Sequence, residues 1–212
     1  MSQNKTYLID YDDGTYRGTI DSENGKTPHG TFTFLNGDVY TGEVIKNPVR
    51  NSNRFFIIGN GIGKMVSEIG VYEGEFKNYK LNGYGVYTRS NGKIFEGKFV
   101  DNQIPKGKLT FPNGCIYVGD INGTQMEGKG ILTFVNGDTY DGYFLNNKFH
   151  GKAKVTFYSR NYVFIGNYKL GKRDGKAKIL YENGDEFNGV YKNDIRISGK
   201  YTFIDGTEAD SP

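Results

Sequence analysis

An aromatic residue followed two positions later by glycine recurs eight times along the chain, and this period constrains the fold more than any other feature. The aromatic anchors are Tyr16, Tyr40, Tyr72, Phe95, Tyr117, Tyr140, Phe164 and Phe187, and their glycines are Gly18, Gly42, Gly74, Gly97, Gly119, Gly142, Gly166 and Gly189. Successive anchors are 24, 32, 23, 22, 23, 24 and 23 residues apart. A period of this length indicates a repeat protein in which each unit is one supersecondary element.

Most anchors are preceded by an Asn-Gly or Asp-Gly dipeptide, at positions 13–14, 36–37, 91–92, 113–114, 136–137 and 183–184, and a further one stands at 205–206. Both central residues of a type I′ turn need positive φ, which Asn, Asp and Gly tolerate best. The pattern therefore predicts a β-hairpin with a type I′ turn in each unit, and a polar loop such as 145–150 leads to the next hairpin. We predict an all-β chain of roughly seventeen strands with no substantial helix, since the apolar period is two throughout.

The alternation of side chains along a strand assigns the two faces of the predicted sheet. The anchor, its glycine and the residue two positions further share an apolar face, as in Tyr140, Gly142 and Phe144, whereas residues such as Asp141 form a polar face. We expect each glycine to leave room for an aromatic ring to lie over the backbone and to let the sheet curl. The predicted fold is an elongated, single-layer antiparallel meander of tandem hairpins, either open or trough-shaped and stabilised by nearest-neighbour stacking.

The repeats are predicted to form a single domain over residues 1–212. A half repeat at 7–15 precedes the units that begin near the eight anchors, and a short tail follows at 207–212. The outermost strands are then 7–12 and 199–205, and each leaves an open edge that favours self-association or the addition of a partner strand.

The units resemble the membrane occupation and recognition nexus (MORN) repeat, most closely at Tyr72-Glu73-Gly74-Glu75-Phe76 with Gly83-Tyr84-Gly85 and at Tyr117-Val118-Gly119 with Gly128-Lys129-Gly130. Gly151-Lys152-Ala153 and Gly175-Lys176-Ala177 keep the first glycine and replace the second. The resemblance implies a twisted antiparallel sheet that attaches to another protein, forms homodimers or binds acidic phospholipid headgroups. A regulatory or substrate-binding arm related to MORN–SET lysine methyltransferases is a further alternative.

The composition excludes several other classes of protein. The net charge of +3 is too small for a nucleic-acid binder. The single cysteine, Cys115, allows no intramolecular disulfide and favours a reducing compartment. The longest apolar run, residues 55–58, is far shorter than the ~20 residues of a membrane span. We expect a cytoplasmic protein, either free or associated with a membrane or the cytoskeleton.

The residues that carry most catalytic and metal chemistry are few and scattered. His29, His150 and Cys115 lie in different repeats, whereas a metal site needs three or four converging ligands. We therefore predict no catalytic, cofactor or metal site, and a non-enzymatic scaffold that binds proteins.

One candidate binding site is an insertion. The spacing of 32 residues places extra sequence at 46–58, which includes Arg50, Arg54, Phe55 and Phe56. Aromatic and arginine side chains on a long loop favour a partner contact, although the same residues could tuck against the sheet of an ordinary surface insertion.

A second candidate is a basic patch of Lys169, Lys172, Arg173, Lys176 and Lys178, with Lys152, Lys154 and Arg160 in the preceding repeat. Consecutive hairpins lie ~10 Å apart, so these charges could meet and attract an acidic protein segment or an anionic lipid headgroup. The alternative is a set of ordinary solvated loops, since Asp174 and Glu182 are interleaved.

Overall fold

The computed structural model describes residues 5–21, 27–50, 52 and 54–211, and nearly all of its regular structure is β-strand. The chain divides into two compact units, residues 1–105 (unit 1) and 106–212 (unit 2). Unit 1 contains β1 (Tyr7–Tyr11), β2 (Gly14–Gly18), β3 (His29–Phe34), β4 (Val39–Pro48), β5 (Phe55–Ser67), β6 (Gly70–Lys77), β7 (Lys80–Arg89) and β8 (Ile94–Phe99). Unit 2 contains β9 (Lys106–Thr110), β10 (Ile116–Asn122), β11 (Gln125–Thr133), β12 (Thr139–Leu145), β13 (Lys148–Phe157), a 3-10 turn (Tyr158–Arg160), β14 (Tyr162–Lys169), β15 (Lys172–Tyr181), β16 (Glu186–Lys192), β17 (Ile195–Thr202) and β18 (Glu208–Ser211).

Each unit is an antiparallel meander. In unit 1 every strand from β1 to β8 pairs with the next strand in sequence. The same is true from β9 to β18 in unit 2. The all-β meander of hairpins predicted from the repeat is confirmed.

The Asn-Gly turns differ from the prediction in their geometry. In the turn at 134–138 only Gly137 has positive φ, at 87°. The Gly137 amide donates to the carbonyl oxygen of Phe134 at 3.0 Å, and the Phe134 amide donates to that of Asp138 at 2.9 Å. This is the three-residue hairpin loop that ends in a left-handed glycine, so the predicted type I′ turn is wrong here. The Asn136 side chain stabilises the loop, because its Oδ1 accepts a hydrogen bond from the Asp138 amide at 3.1 Å.

Paired positive φ values, as type I′ turns require, occur instead at the connections predicted as polar loops. Asn146 and Asn147 have φ of 49° and 65°, and Leu145 pairs directly with Lys148. Asn147 also joins this turn to the preceding hairpin, because its Oδ1 accepts the Met126 amide at 2.8 Å and its own amide donates to the Met126 carbonyl at 3.0 Å. Neighbouring hairpins are therefore tied together at their turns as well as along their strands.

The predicted division into an apolar and a polar face is confirmed. All eight anchors are buried, and so is the residue four positions after each of them: Ile20, Val44, Phe76, Phe99, Ile121, Phe144, Tyr168 and Tyr191. The rings meet mostly edge to face, as in Tyr72 and Phe76, whose centroids lie 5.0 Å apart. The core of each unit is thus a row of packed aromatic rings along one face of its sheet.

The repeat glycines make room for these rings. A Cβ on Gly85, which pairs with Gly74, would lie 2.2 Å from the Tyr72 hydroxyl oxygen and 2.4 Å from its Cζ. The Tyr72 ring therefore lies over the paired glycines, and its hydroxyl donates to the carbonyl oxygen of Glu75 at 3.1 Å. That carbonyl belongs to a strand with a register shift between Gly74 and Phe76, so the hydroxyl satisfies an acceptor beside the irregularity.

The insertion at 46–58 is a hairpin extension, and the prediction of a long loop is wrong. Its two sides pair from Ile45 with Ile58 to Pro48 with Phe55, which lengthens β4 and β5. Ile57 is buried, and its carbonyl oxygen accepts a hydrogen bond from the Tyr79 hydroxyl at 3.1 Å. The continuous apolar run at 55–58 thus forms a strand, with Ile57 buried on one face and Phe56 exposed on the other.

The predicted C-terminal edge, 199–205, is also corrected. Residues assigned to the tail form β18, in which Ala209 pairs with Tyr201 and Glu208 with Thr202. Ala209 takes the register position of an anchor, so the last strand is a repeat strand that lacks its aromatic ring. β17 is covered, and β18 carries the two carboxylates Glu208 and Asp210.

Candidate functional site

The polar face of unit 2 contains an open groove of about 940 Å³. Its floor is the backbone of glycines and alanines that lie side by side on successive strands: Gly142, Ala153, Gly166, Ala177, Gly189 and Gly199. Their side-chain positions face the aromatic rings on the other side of the sheet, so only backbone lies along this line on the polar face, and the longer side chains on either side form the walls. The groove therefore follows from the alternation of side chains along each strand.

The first glycine of each Gly-x-Gly segment is required by its backbone conformation. Gly128 and Gly151 both have φ of 64°, a left-handed conformation that L side chains rarely adopt. The middle residue then projects from the polar face, and its amide is held by a neighbouring strand. The Lys129 amide, for example, donates to the Asp120 carboxylate at 3.1 Å.

Three lysines occupy this middle position in consecutive repeats, and together we call them the lysine row: Lys129, Lys152 and Lys176. They lie on β11, β13 and β15, with Tyr143 beside Lys129 and Val190 beside Lys176. All three are exposed and line the groove. The repeat therefore places a positive charge on every second strand along the groove.

The lysine row carries net positive charge, because none of the carboxylates in the part of the chain that the structure describes pairs with its members. Lys178 and Lys200, also in the groove, are neutralised by Glu186 and Glu208 at 2.7 Å each. Lys154 and the lysine row form no ion pair with any residue in the described ranges. Basic and acidic residues balance within 1–105, so the formal net charge of +3 belongs to unit 2. The lysines therefore outnumber the carboxylates along the groove, and this charge favours anionic over cationic groups.

The structure separates the residues of the predicted basic patch. Lys176 and Lys178 line the groove together with Lys152 and Lys154 of the preceding repeat. Lys169 and Lys172 pair with each other at a hairpin turn, outside the groove lining.

Arg173 lies on the opposite, apolar face. Its guanidinium carbon is 4.8 Å from the centre of the Tyr191 ring and 5.8 Å from that of Phe164, and its Nε is 3.4 Å from the Asp194 carboxylate. Burial of its stem against these rings and neutralisation by Asp194 make it part of the packing. Lys129 was not among the predicted residues, although its position in Gly128-Lys129-Gly130 is the signal that identifies it.

The insertion residues divide between packing and exposure. The Phe56 ring lies 5.9 Å from that of Tyr11, and the Lys46 ammonium lies 5.1 Å above the Phe55 ring. Arg50 and Arg54 are exposed beside the tip of the hairpin. Phe56, Ile57 and Tyr79 also line an apolar cavity of about 250 Å³ with Tyr11 and Phe32. Phe55 is half-buried, but Phe56 is 53% exposed, so Phe56 and the two arginines remain as candidate contacts.

Within the described ranges, no three His, Cys, Asp or Glu side chains come together in a way that could hold a metal ion. In the same part of the chain, no helix is long and apolar enough to cross a membrane. Burial raises the pKa of the anchor tyrosines Tyr16, Tyr72 and Tyr140 to about 12. These hydroxyls stay protonated and donate to backbone carbonyl oxygens.

Comparison with known proteins identifies the repeat. The MORN repeat family model matches residues 72–94, 106–116, 117–139, 140–162 and 164–186. Alsin from Rattus norvegicus is 33% identical over 115 residues, which is 50% of this chain and 6% of alsin. Human alsin is 32% identical over 115 residues with the same coverage. This chain thus corresponds to a small part of the length of the curated relatives.

The TCP10 domain of CPAP from Danio rerio, solved as a point mutant, superimposes with a TM-score of 0.50 at 13% sequence identity. The match covers 97% of this chain and 98% of that domain. At this identity the likeness concerns the fold alone.

Proposed function

Because the chain belongs to the MORN repeat family, which forms protein or membrane interaction modules, we propose that it is a non-catalytic scaffold that binds a protein partner in the groove of unit 2. The observation that carries this proposal is the lysine row, a set of unneutralised charges held above a glycine and alanine floor. A rigid sheet positions these side chains without any loop, so little order has to be gained on binding.

Exposed apolar side chains support a protein ligand over a simple anion. Tyr143 is 50% exposed and Val190 is 38% exposed, and both line the groove between or beside the lysines. Ile165 lies on the same face in the row that contains Lys154 and Lys178. Alternating charge and apolar surface suits a partner that buries side chains while its carboxylates pair with the lysines.

The test compares partner capture by three forms of the protein. The groove variant is Lys129→Glu/Lys152→Glu/Lys176→Glu, and the control is Lys148→Glu/Lys169→Glu/Lys172→Glu, which makes the same charge change on exposed turn lysines. We expect quantitative mass spectrometry to find proteins that the wild type and the control retain and the groove variant loses. Equal capture by all three forms would reject the groove as the binding site.

Peripheral binding to acidic phospholipid headgroups is the second candidate, and the same unpaired lysines favour it. Flotation with vesicles that contain phosphatidylserine distinguishes it from protein binding. A membrane role requires the wild type and the turn control to float and the groove variant to remain in solution.

Two further contacts stay proposals. Arg50 and Arg54 at the tip of the insertion offer a second protein contact in unit 1. Self-association through an edge strand is the other; at β18 the charges of Glu208 and Asp210 oppose it. Sedimentation velocity across a range of protein concentrations tests self-association, and a monomer at every concentration would exclude it. The role as an arm of a lysine methyltransferase rests on the family resemblance alone.

A further inference from the structure

We infer that the lysine row recognises an acidic segment in the polyproline II conformation that carries a carboxylate at every third residue. This inference rests on the proposed protein-binding role of the groove and names the chemistry of the partner. It follows from the spacing of the lysines, the width available between charged side chains, and the apolar residues that separate them.

The spacing of the lysine row matches one backbone conformation. Lys129, Lys152 and Lys176 lie on alternate strands, and neighbouring strands are ~4.8 Å apart, so successive lysines are ~10 Å apart. A polyproline II helix rises ~3.1 Å per residue with three residues per turn, so every third side chain returns to the same side after ~9 Å. A carboxylate at positions i, i+3 and i+6 of such a segment therefore meets each lysine in turn.

Other conformations fit less well. In an extended β-strand, side chains on one side recur every ~6.6 Å or ~13 Å, and neither distance matches the lysine row. An α-helix brings residues i and i+7 to a suitable ~10.5 Å, but its diameter with side chains is ~10–12 Å. Lys152 and Lys154 both project into the groove from one strand, roughly 7 Å apart. A helix is too wide to lie between these two side chains, whereas a single extended backbone is narrow enough.

The residues between the lysines suit the other two positions of each turn. Tyr143, on the strand next to Lys129, pairs with it and has an exposed aromatic ring. Val190 pairs with Lys176 in the same way. Polyproline II segments dock on aromatic and aliphatic surfaces and lose little conformational entropy on binding. Apolar residues such as proline can therefore pack on Tyr143 and Val190 while the carboxylates face the lysines.

The test uses synthetic peptides and the whole chain. The matched peptide has repeated Pro-Pro-Glu triplets; the first control has the same composition with all glutamates contiguous, and the second replaces proline by glycine at unchanged glutamate spacing. By fluorescence anisotropy, the wild type should bind the matched peptide about tenfold more tightly than either control, because only the matched peptide presents every carboxylate to a lysine.

Two variants assign the effect to the lysine row. Lys129→Gln/Lys152→Gln/Lys176→Gln should lose the tenfold preference, and Lys148→Gln/Lys169→Gln/Lys172→Gln should keep it. Circular dichroism establishes that both variants remain folded, as expected for exposed side chains.

The outcomes separate this inference from the proposed function. Equal binding of all three peptides, still dependent on the lysine row, would overturn the polyproline II register and leave the groove as an acidic-protein site. Peptide binding that is independent of the lysine row would overturn both. Binding to phosphatidylserine vesicles alone, lost in the lysine-row variant, would overturn both in favour of a membrane surface.

Discussion

Unit 1 and unit 2 are built from the same repeat, yet they present different chemistry at the middle position of Gly-x-Gly. In unit 1 this position holds Ile62 and Tyr84, which are 58% and 69% exposed. In unit 2 it holds the lysine row. The backbone is held in the same way in both, since the Tyr84 amide donates to Glu75 at 2.8 Å as the Lys129 amide donates to Asp120. The repeat therefore fixes where this side chain points and leaves its chemistry free to vary, so the two units present different surfaces at the same position of the repeat.

The units also differ at the residue that follows this middle position. Unit 1 keeps glycine as the last residue of the segment, at Gly63 and Gly85, whereas unit 2 keeps it at Gly130 and has alanine instead at Ala153 and Ala177. Ala153 faces Gly142, where an added Cβ would lie 2.5 Å from the alanine methyl group. At this cross-strand pair there is room for one methyl group, which Ala153 supplies.

The largest effect that we predict is on the anchor glycines. Gly142→Val should destabilise the fold by about 1–3 kcal/mol, because its side chain would overlap the Ala153 methyl group and the Tyr140 ring at 2.9 Å. Asp141→Val, on the polar face, should leave the unfolding free energy nearly unchanged. Urea denaturation of both variants measures the difference, and equal stabilities would show that the face assignment is wrong.

The corresponding change in unit 1 should be at least as costly. A Cβ on Gly42 would lie 2.4 Å from the Gly63 Cα and 2.5 Å from the Ile62 carbonyl oxygen, and backbone atoms move less readily than a methyl group. Thr41→Val is the matched control on the polar face. If Gly42→Val lowered the free energy of unfolding by less than Gly142→Val does, the proposed difference in packing between the units would be wrong.

A smaller effect is expected from exchanging the small residues between units. Gly85→Ala adds a single methyl group and should cost less than the valine substitutions, about 1–2 kcal/mol, because that methyl group would meet the Tyr72 ring at 2.4 Å. Ala153→Gly should cost about 1 kcal/mol or less, since it removes one methyl group and adds backbone freedom in a strand. Thermal unfolding of the two variants ranks them, and the opposite order would contradict this account.

Alkaline pH should weaken the fold through its anchors. Burial raises the pKa of Tyr16 and Tyr72 in unit 1 to about 12, above the value near 10 of an unfolded chain. The unfolded state therefore loses protons first, so stability is full below pH ~10 and falls as the pH rises from there towards 12. Tyr16→Phe/Tyr72→Phe should lower stability at neutral pH by removing two hydroxyl-to-carbonyl hydrogen bonds, but should flatten the alkaline decline. Parallel stability curves for wild type and variant between pH 8 and 11.5 would refute this.

The smallest effect should follow a direct transfer of the lysines. Ile62→Lys/Tyr84→Lys places unit 2 chemistry on unit 1, and both side chains are exposed, so stability should change by no more than ~0.5 kcal/mol. Affinity for an acidic peptide should rise modestly and in a salt-sensitive manner. A large loss of stability would mean that Ile62 and Tyr84 are held by packing rather than left free.

Much of the fold was predictable because its determinants are local and repeated. The period of the anchors, the alternation at Tyr140, Gly142 and Phe144, and the need for glycine in Gly-x-Gly depend on residues within one hairpin. The turns were harder, because Asn136-Gly137 is compatible with both a two-residue type I′ loop and a three-residue loop that ends in a left-handed glycine. The insertion at 46–58 was missed as a strand extension because its pairing depends on contacts with Tyr11 and Tyr79 from other hairpins.

The sequence by itself determined the repeat, the apolar face and the absence of a long helix, because side-chain alternation and glycine placement act within a few residues. Only the tertiary structure decided which charges meet. Arg173 and Lys176 lie three residues apart on β15, so they project from opposite faces, and pairing places Arg173 against the aromatic rings and Lys176 in the groove. Lys129, by contrast, joins Lys176 from two repeats away. A binding surface on a sheet runs across the strands. Strand pairing decides which residues become neighbours in that direction, and the order of residues along the chain does not show it.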